Sequence, residues 1–194
     1  MHGLVLTALQ TFLQSKYGRA KWDNAIKRAG IGISEFEAML TYKDSVAYKV
    51  LDCAAEQLNR SRDEVLEDLG TYLVSDRTME GFRRLLRFSG VDFVDFLFAL
   101  EDLPERTRLA VPDLILPALD LRQSTSGHFI LSCEPGLPGY DSVLIGILRT
   151  MADDYGALVM LDHLGARDGR EVISIAVVQD AFAAGKTFEL KAGE

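Results

Sequence analysis

Two cysteines among 194 residues, Cys53 and Cys133, are too few for a disulfide framework or a cysteine-rich zinc site. They suit a reducing compartment, so the chain is expected in the cytoplasm. Histidine is nearly as scarce: His2, His128 and His163 stand in no metal-ligand spacing with a carboxylate or thiol. Positive charge is short as well. Lys and Arg number 21 against 29 Asp and Glu, and a net charge of −8 is a poor match to a phosphate backbone, so nucleic acid is not an expected partner. No apolar run approaches the roughly 20 residues that a bilayer crossing needs, and no membrane association is expected. The apolar start from His2 to Leu13 lacks a basic lead-in and runs straight into Gln14 to Arg19, which is the pattern of a core helix rather than a leader.

What is present is a globular composition, 48% hydrophobic and 26% charged, which is enough to bury a core. The first half reads as helices. Val5, Leu9, Phe12 and Leu13 recur at helical spacing, and a short helix from about Trp22 to Ala29 ends at Gly30, a residue suited to a left-handed C-cap. Ser34 with Glu37, and Ser61 with Glu64, have the capping-box spacing and mark two helix starts. Between them Val46, Val50, Ala54 and Leu58 share one helix face; after Ser61 the apolar positions Val65, Leu66, Leu69 and Leu73 continue to a break at Ser75 to Arg77. A helical stretch from about Met79 to Leu103 is divided by Gly90, and Phe93, Phe96, Leu97 and Leu100 form its broad apolar stripe. Pro104 opens a short separate turn to about Ala110, and Pro112 and Pro117 stop further helix.

The last third reads as strands around one helix. Residues 118–122 and 128–133 flank a turn at 124–127, and residues 157–162 and 171–178 flank a loop from Gly165 to Gly169. Tyr140 to Tyr155, with Val143, Ile147, Leu148 and Met151 on one stripe, is the helix between these hairpins. The order predicts an α+β fold: a helical N-terminal subdomain packed on a C-terminal subdomain with an antiparallel sheet of about four strands and a covering helix. Residues 1–194 are expected as a single domain, with subdomains at about 1–60 and 61–194.

No catalytic constellation stands out. The acidic pair Asp153 and Asp154, and Asp162 beside His163, fall on expected surface or loop positions. Gly136, Gly139 and the Gly165 to Gly169 loop form no phosphate-binding pattern, and Cys53 and Cys133 read as inert core thiols.

Several patterns converge on a family. They are Met1 to Leu6 followed by Lys16, Tyr17 and Gly18; Tyr42 and Asp44 before a helix; Ser61, Glu64, Leu66, Leu69, Gly70, Tyr72 and Leu73; and Phe93, Phe96, Leu97 and Leu100. In this order and spacing they resemble the H-NOX family, the haem nitric oxide/oxygen binding domains related to the sensor region of soluble guanylate cyclase, from Met1 to about Val178. The resemblance implies haem held between a helical and a sheet-containing subdomain, with a proximal histidine on the iron. It also implies a Tyr-x-Ser-x-Arg strand motif at the propionates. Output would pass to a signalling protein such as a histidine kinase or diguanylate cyclase, or to a fused domain, with no catalysis by the domain itself.

Carried over residue by residue, the family's proximal-segment prolines match Pro112 and Pro117, and that register puts Pro104 where the proximal histidine stands. The propionate motif falls on Ile130, Ser132 and Glu134, and a distal tyrosine position falls on Gly139, beside Tyr140. A prolyl ring offers iron no axial donor, and a carboxylate in place of arginine reverses the sign presented to a propionate. No cofactor is favoured on these residues. Val5, Leu9, Phe93, Leu97, Leu100, Leu144 and Leu148 are expected to line the family's apolar pocket, here filled by side chains or open to another apolar molecule. The first reading is an H-NOX-like regulatory domain with lost haem coordination, acting through a partner. The alternative is a genuine haem-based nitric oxide sensor with a non-standard ligand such as His128, which shares the strand face of Ile130 and Ser132. A third reading, an enzyme using Glu134 as acid or base, lacks a partner group.

Overall fold

A computed structural model describes residues 1–88 and 90–186 of the chain. The stretch of the expected 1–194 domain from residue 187 on lies outside the described residues. The chain divides into two compact units, Met1–Leu69 and Gly70–Glu194.

The first unit holds α1 (Gly3–Tyr17), α2 (Arg19–Ala29), α3 (Asp44–Leu58) and the beginning of α4 (Arg62–Ser75). Leu6, Leu9, Phe12 and Leu13 bury one stripe of α1, and α2 contributes Trp22, whose ring meets Phe36 edge-on at 6.0 Å. The capping box at Ser61 is realised: Glu64 N–H donates to Ser61 Oγ at 3.2 Å, and Ser61 N–H donates to Glu64 Oε2 at 2.7 Å. These bonds hold the Glu64 carboxyl below its usual value. The box expected at Ser34 starts no helix. Its backbone is engaged elsewhere, since Trp22 Nε1 donates to Ser34 O at 3.3 Å, Phe36 N–H donates to Gln10 Oε1 at 2.9 Å, and Glu37 N–H donates to Tyr42 Oη at 2.9 Å. Tertiary partners thus supply what helix capping would have supplied, and the next helix waits until Asp44.

The boundary between the units falls inside α4 rather than ahead of it near residue 60. Val65 and Leu69 are buried in the first unit, whereas the helix from Gly70 on belongs to the second. The reason is a close approach: a Cβ on Gly70 would lie 2.1 Å from Val143 O and 3.0 Å from Ile147 N of the later helix α8 (Tyr140–Tyr155). Only a residue without a side chain lets the two backbones come this near.

After α4 the second unit runs through a 3-10 turn, Arg77–Met79, into α5 (Glu80–Arg87) and α6 (Phe93–Phe98). A second 3-10 turn, Ala99–Asp102, leads to α7 (Leu103–Ala110), so the turn expected at Pro104 is a full helix of eight residues with proline in its first turn. Four strands follow: β1 (Leu119–Thr125), β2 (His128–Cys133), β3 (Leu158–Arg167) and β4 (Arg170–Gln179). They pair antiparallel in the order β1-β2-β4-β3, with α8 between the two hairpins. The second hairpin turns more tightly than the glycine spacing suggests. Asp168 and Gly169, at φ of 51° and 80°, make the turn alone, a conformation that matches strand twist. Gly165, at φ of 74°, sits in the strand where the register shifts between His163 and Gly165.

Buried residues alternate along β2, with Phe129, Leu131 and Cys133 joining Ile173 and Ile175 of β4 in one apolar cluster with Leu144, Leu148 and Met151 of α8. Among the described residues no helix is long and apolar enough to cross a membrane. Because the Gly70 approach is backbone against backbone, Gly70→Ala is expected to destabilise the protein by about 2 kcal/mol. Urea unfolding should show a lower midpoint with an unchanged slope.

Candidate functional site

The segment that the resemblance singles out is α7. Pro104 stands in its first turn, half-buried, where the missing N–H is of no consequence to the helix. What holds α7 is its other residues. Leu103 and Thr107 are buried, and the Arg106 guanidinium donates to Leu85 O at 3.2 Å and to Ala99 O at 2.9 Å, fastening the helix to α5 and to the preceding 3-10 turn. Burial lowers the pKa of Arg106, a shift that Asp102 opposes. Glu101 Oε1 accepts from Leu121 N–H at 2.9 Å and so ties the same turn to β1. Pro117 is buried ahead of β1, and Pro112 is exposed. From Leu103 to Ala110 the helix contains no imidazole, thiol, thioether or phenol.

Ile130, Ser132 and Glu134 lie on the face of the sheet opposite the buried Phe129, Leu131 and Cys133. All three are half-buried. Arg170 Nη2 reaches Glu134 Oε1 at 2.5 Å, so the carboxylate is already claimed by a guanidinium from β4. His128 is exposed at the hairpin end, its Nδ1 3.3 Å from Ser126 O. Of the apolar candidates, Phe93, Leu97, Leu100, Leu144 and Leu148 are fully buried within the core cluster of the second unit. Val5, half-buried, and Leu9, buried, lie on α1 of the first unit. The two cysteines differ: Cys53 is half-buried on α3, and Cys133 is buried, its thiol pushed up to about 12 by burial and then by Asp141 and Glu171.

Two features escape the sequence reading. Asp154 is not a solvated surface acid. It is 1% exposed and takes Arg83 Nε at 2.6 Å and Lys186 Nζ at 2.8 Å. His163, without a ligand-spaced partner in the sequence, has its Nε2 3.2 Å from Asp141 Oδ2 and 3.2 Å from Glu171 Oε2. The only advance signal was the second hairpin, which brings residues 163 and 171 to neighbouring positions once its register is known. Next to this group the loop from Cys133 to Asp141, together with Gly169 and Glu171, lines a cleft of about 220 Å³.

A helical unit followed by a unit with a four-stranded antiparallel sheet and one helix between its hairpins is a defined architecture. It matches solved H-NOX structures. The Fe(II) unliganded H-NOX protein from K. algicida aligns at a TM-score of 0.80, 15% identical, covering 95% of this chain and 100% of that one. The oxygen complex of an oxygen-binding H-NOX domain related to soluble guanylate cyclases aligns at 0.71, also 15% identical, over 96% of this chain and 100% of that one. The haem-NO-binding family model matches residues 2–163, and the chain belongs to that family. Among curated relatives, soluble guanylate cyclase gcy-31 of Caenorhabditis elegans is 25% identical over 79% of this chain, and soluble guanylate cyclase 89Db of Drosophila melanogaster 21% identical over 84%. The chain spans 22% and 24% of the length of these two relatives, about a quarter.

Two outcomes are expected from this geometry. Arg106→Met, which keeps the side-chain stem and deletes both carbonyl contacts, should cost about 2 kcal/mol in chemical denaturation. Ellman's reagent at pH 8 should find one reactive thiol in the native protein, Cys53, and a second, Cys133, only after unfolding.

Proposed function

We propose that this chain is a regulatory H-NOX domain that has lost the ordinary attachment of haem and acts by contact with a separate signalling output protein. The observation that carries the reading is the composition of α7 around Pro104. In the register of the resemblance, the proximal position is occupied by a ring whose nitrogen is already an amide. A slip of that register along α7 does not rescue coordination, because none of its residues is a haem-ligand type. The residues of the propionate position point the same way. Ile130 has no donor, and Glu134 is a carboxylate engaged by Arg170 rather than a free cation. These residues do not fit a haem held in the family's usual manner.

The signalling role rests on the family and on its relatives, among them soluble guanylate cyclases. A domain of this kind biases a partner by binding it differently in two states; it performs no chemistry of its own. A histidine kinase or a diguanylate cyclase, free in the cytoplasm, suits this role.

Absorption spectroscopy tests the reading. Protein expressed with haem supplied should be purified without a Soret band, while Pro104→His should gain one with the signature of a nitrogen-ligated haem. A stoichiometric Soret band in the unaltered chain would refute the proposal and favour a haem sensor with a non-standard ligand; His128→Ala would then report whether His128 supplies it.

A further inference from the structure

The geometry points to a binding site for one divalent, zinc-like cation formed by Asp141, His163 and Glu171, at the end of the sheet beside the start of α8. Three elements supply the donors: α8 gives Asp141, β3 gives His163 and β4 gives Glu171. One ligand atom from each lies within 4.8 Å of the others. The strand register accounts for two of them. His163 pairs with Ile173, and Glu171, two residues along β4, shares the face of Ile173, so the side chains are diagonal neighbours on the side of the sheet that carries the core. The bulge after His163 then lets β3 bend away past Gly165.

The spacing suits a tetrahedral ion. With bonds of about 2.0 Å to nitrogen and oxygen, the edges of a zinc tetrahedron are roughly 3.3 Å. His163 Nε2 stands 3.2 Å from both Asp141 Oδ2 and Glu171 Oε2. Imidazole with two carboxylates is a zinc-type donor set, whereas magnesium and calcium prefer oxygen alone.

The charge balance asks for a cation. Two carboxylates converge on one imidazole nitrogen, which carries a single proton at most. Among the described residues no lysine or arginine forms an ion pair with either carboxylate, and the nearby Arg170 is engaged by Glu134. Asp141 is 7% exposed, so water does little to disperse its charge. Its remaining polar neighbour is the Ser142 hydroxyl at 3.4 Å.

A second, independent observation lies in the adjoining cleft of about 220 Å³, which Asp141 and Glu171 line. The cleft has room for the water that would complete the coordination of a three-ligand site.

The test uses the full chain, stripped with EDTA and prepared without haem, so that its result is independent of the Pro104 reading. Zinc is titrated against a chromophoric chelator, and cobalt is added separately as a spectroscopic probe. One equivalent of zinc should bind, the thermal midpoint should rise, and cobalt should give the visible absorption of a tetrahedral ion. His163→Gln and Glu171→Gln should each weaken zinc by at least about tenfold, while Asp120→Asn, on β1 and outside the cleft, should bind as the unaltered chain does. Asp141→Asn is the third variant; should it fail to fold, the His163 and Glu171 variants, at more exposed positions, decide the matter. Absence of stoichiometric zinc binding overturns the proposal, and so does undiminished affinity in His163→Gln.

Discussion

Side chains alternate across a strand, and in β2 and β4 that alternation is pinned by the apolar core on one face. Phe129 and Leu131 on β2, and Ile173 and Ile175 on β4, enter a cluster shared with Leu144, Leu148 and Met151 of α8. Burying side chains of this size stabilises the arrangement by roughly 2 kcal/mol each. A slip of β2 by one residue would expel Phe129 and Leu131 and draw Ile130, Ser132 and Glu134 inward, so register is strongly specified. The chemistry of the second unit follows from that choice. Glu134 meets Arg170 because both face away from the core, and His163 and Glu171 come together because both face toward it.

The packing of α7 does not depend on the side chain at residue 104. Proline is well suited to the first turn of α7, and the attachment of that helix runs through Leu103, Arg106 and Thr107. None of these contacts depends on what the side chain at 104 donates. Packing and the Arg106 contacts to two carbonyls hold the helix in place.

The elements that the sequence reveals are those with local causes. The stretch from Tyr140 to Tyr155 emerges as one helix because its apolar period and the glycines that flank it act within a few residues. The Ser61 box works for the same reason, whereas the identical spacing at Ser34 fails because Trp22, Gln10 and Tyr42, from other parts of the first unit, take its backbone groups. Asp154 reads as a surface acid, yet α8 is buried on nearly every side, and its carboxylate is met by Arg83 from α5 and Lys186 from beyond the sheet. Of the candidate site, the proline at 104 and the serine at 132 are visible in the sequence, while the Arg170 partner of Glu134 is not.

Composition, periodicity and turn chemistry by themselves determined α1 to α4, α8, the two hairpins and the residue types that α7 lacks, since each depends on neighbours a few positions away. Only the tertiary structure decided that the boundary between the units falls inside α4 at Gly70, that Arg170 takes Glu134, and that Asp141, His163 and Glu171 converge. Those arrangements join residues distant in the chain, and their geometry is set by backbone approach and strand register, which no local pattern encodes.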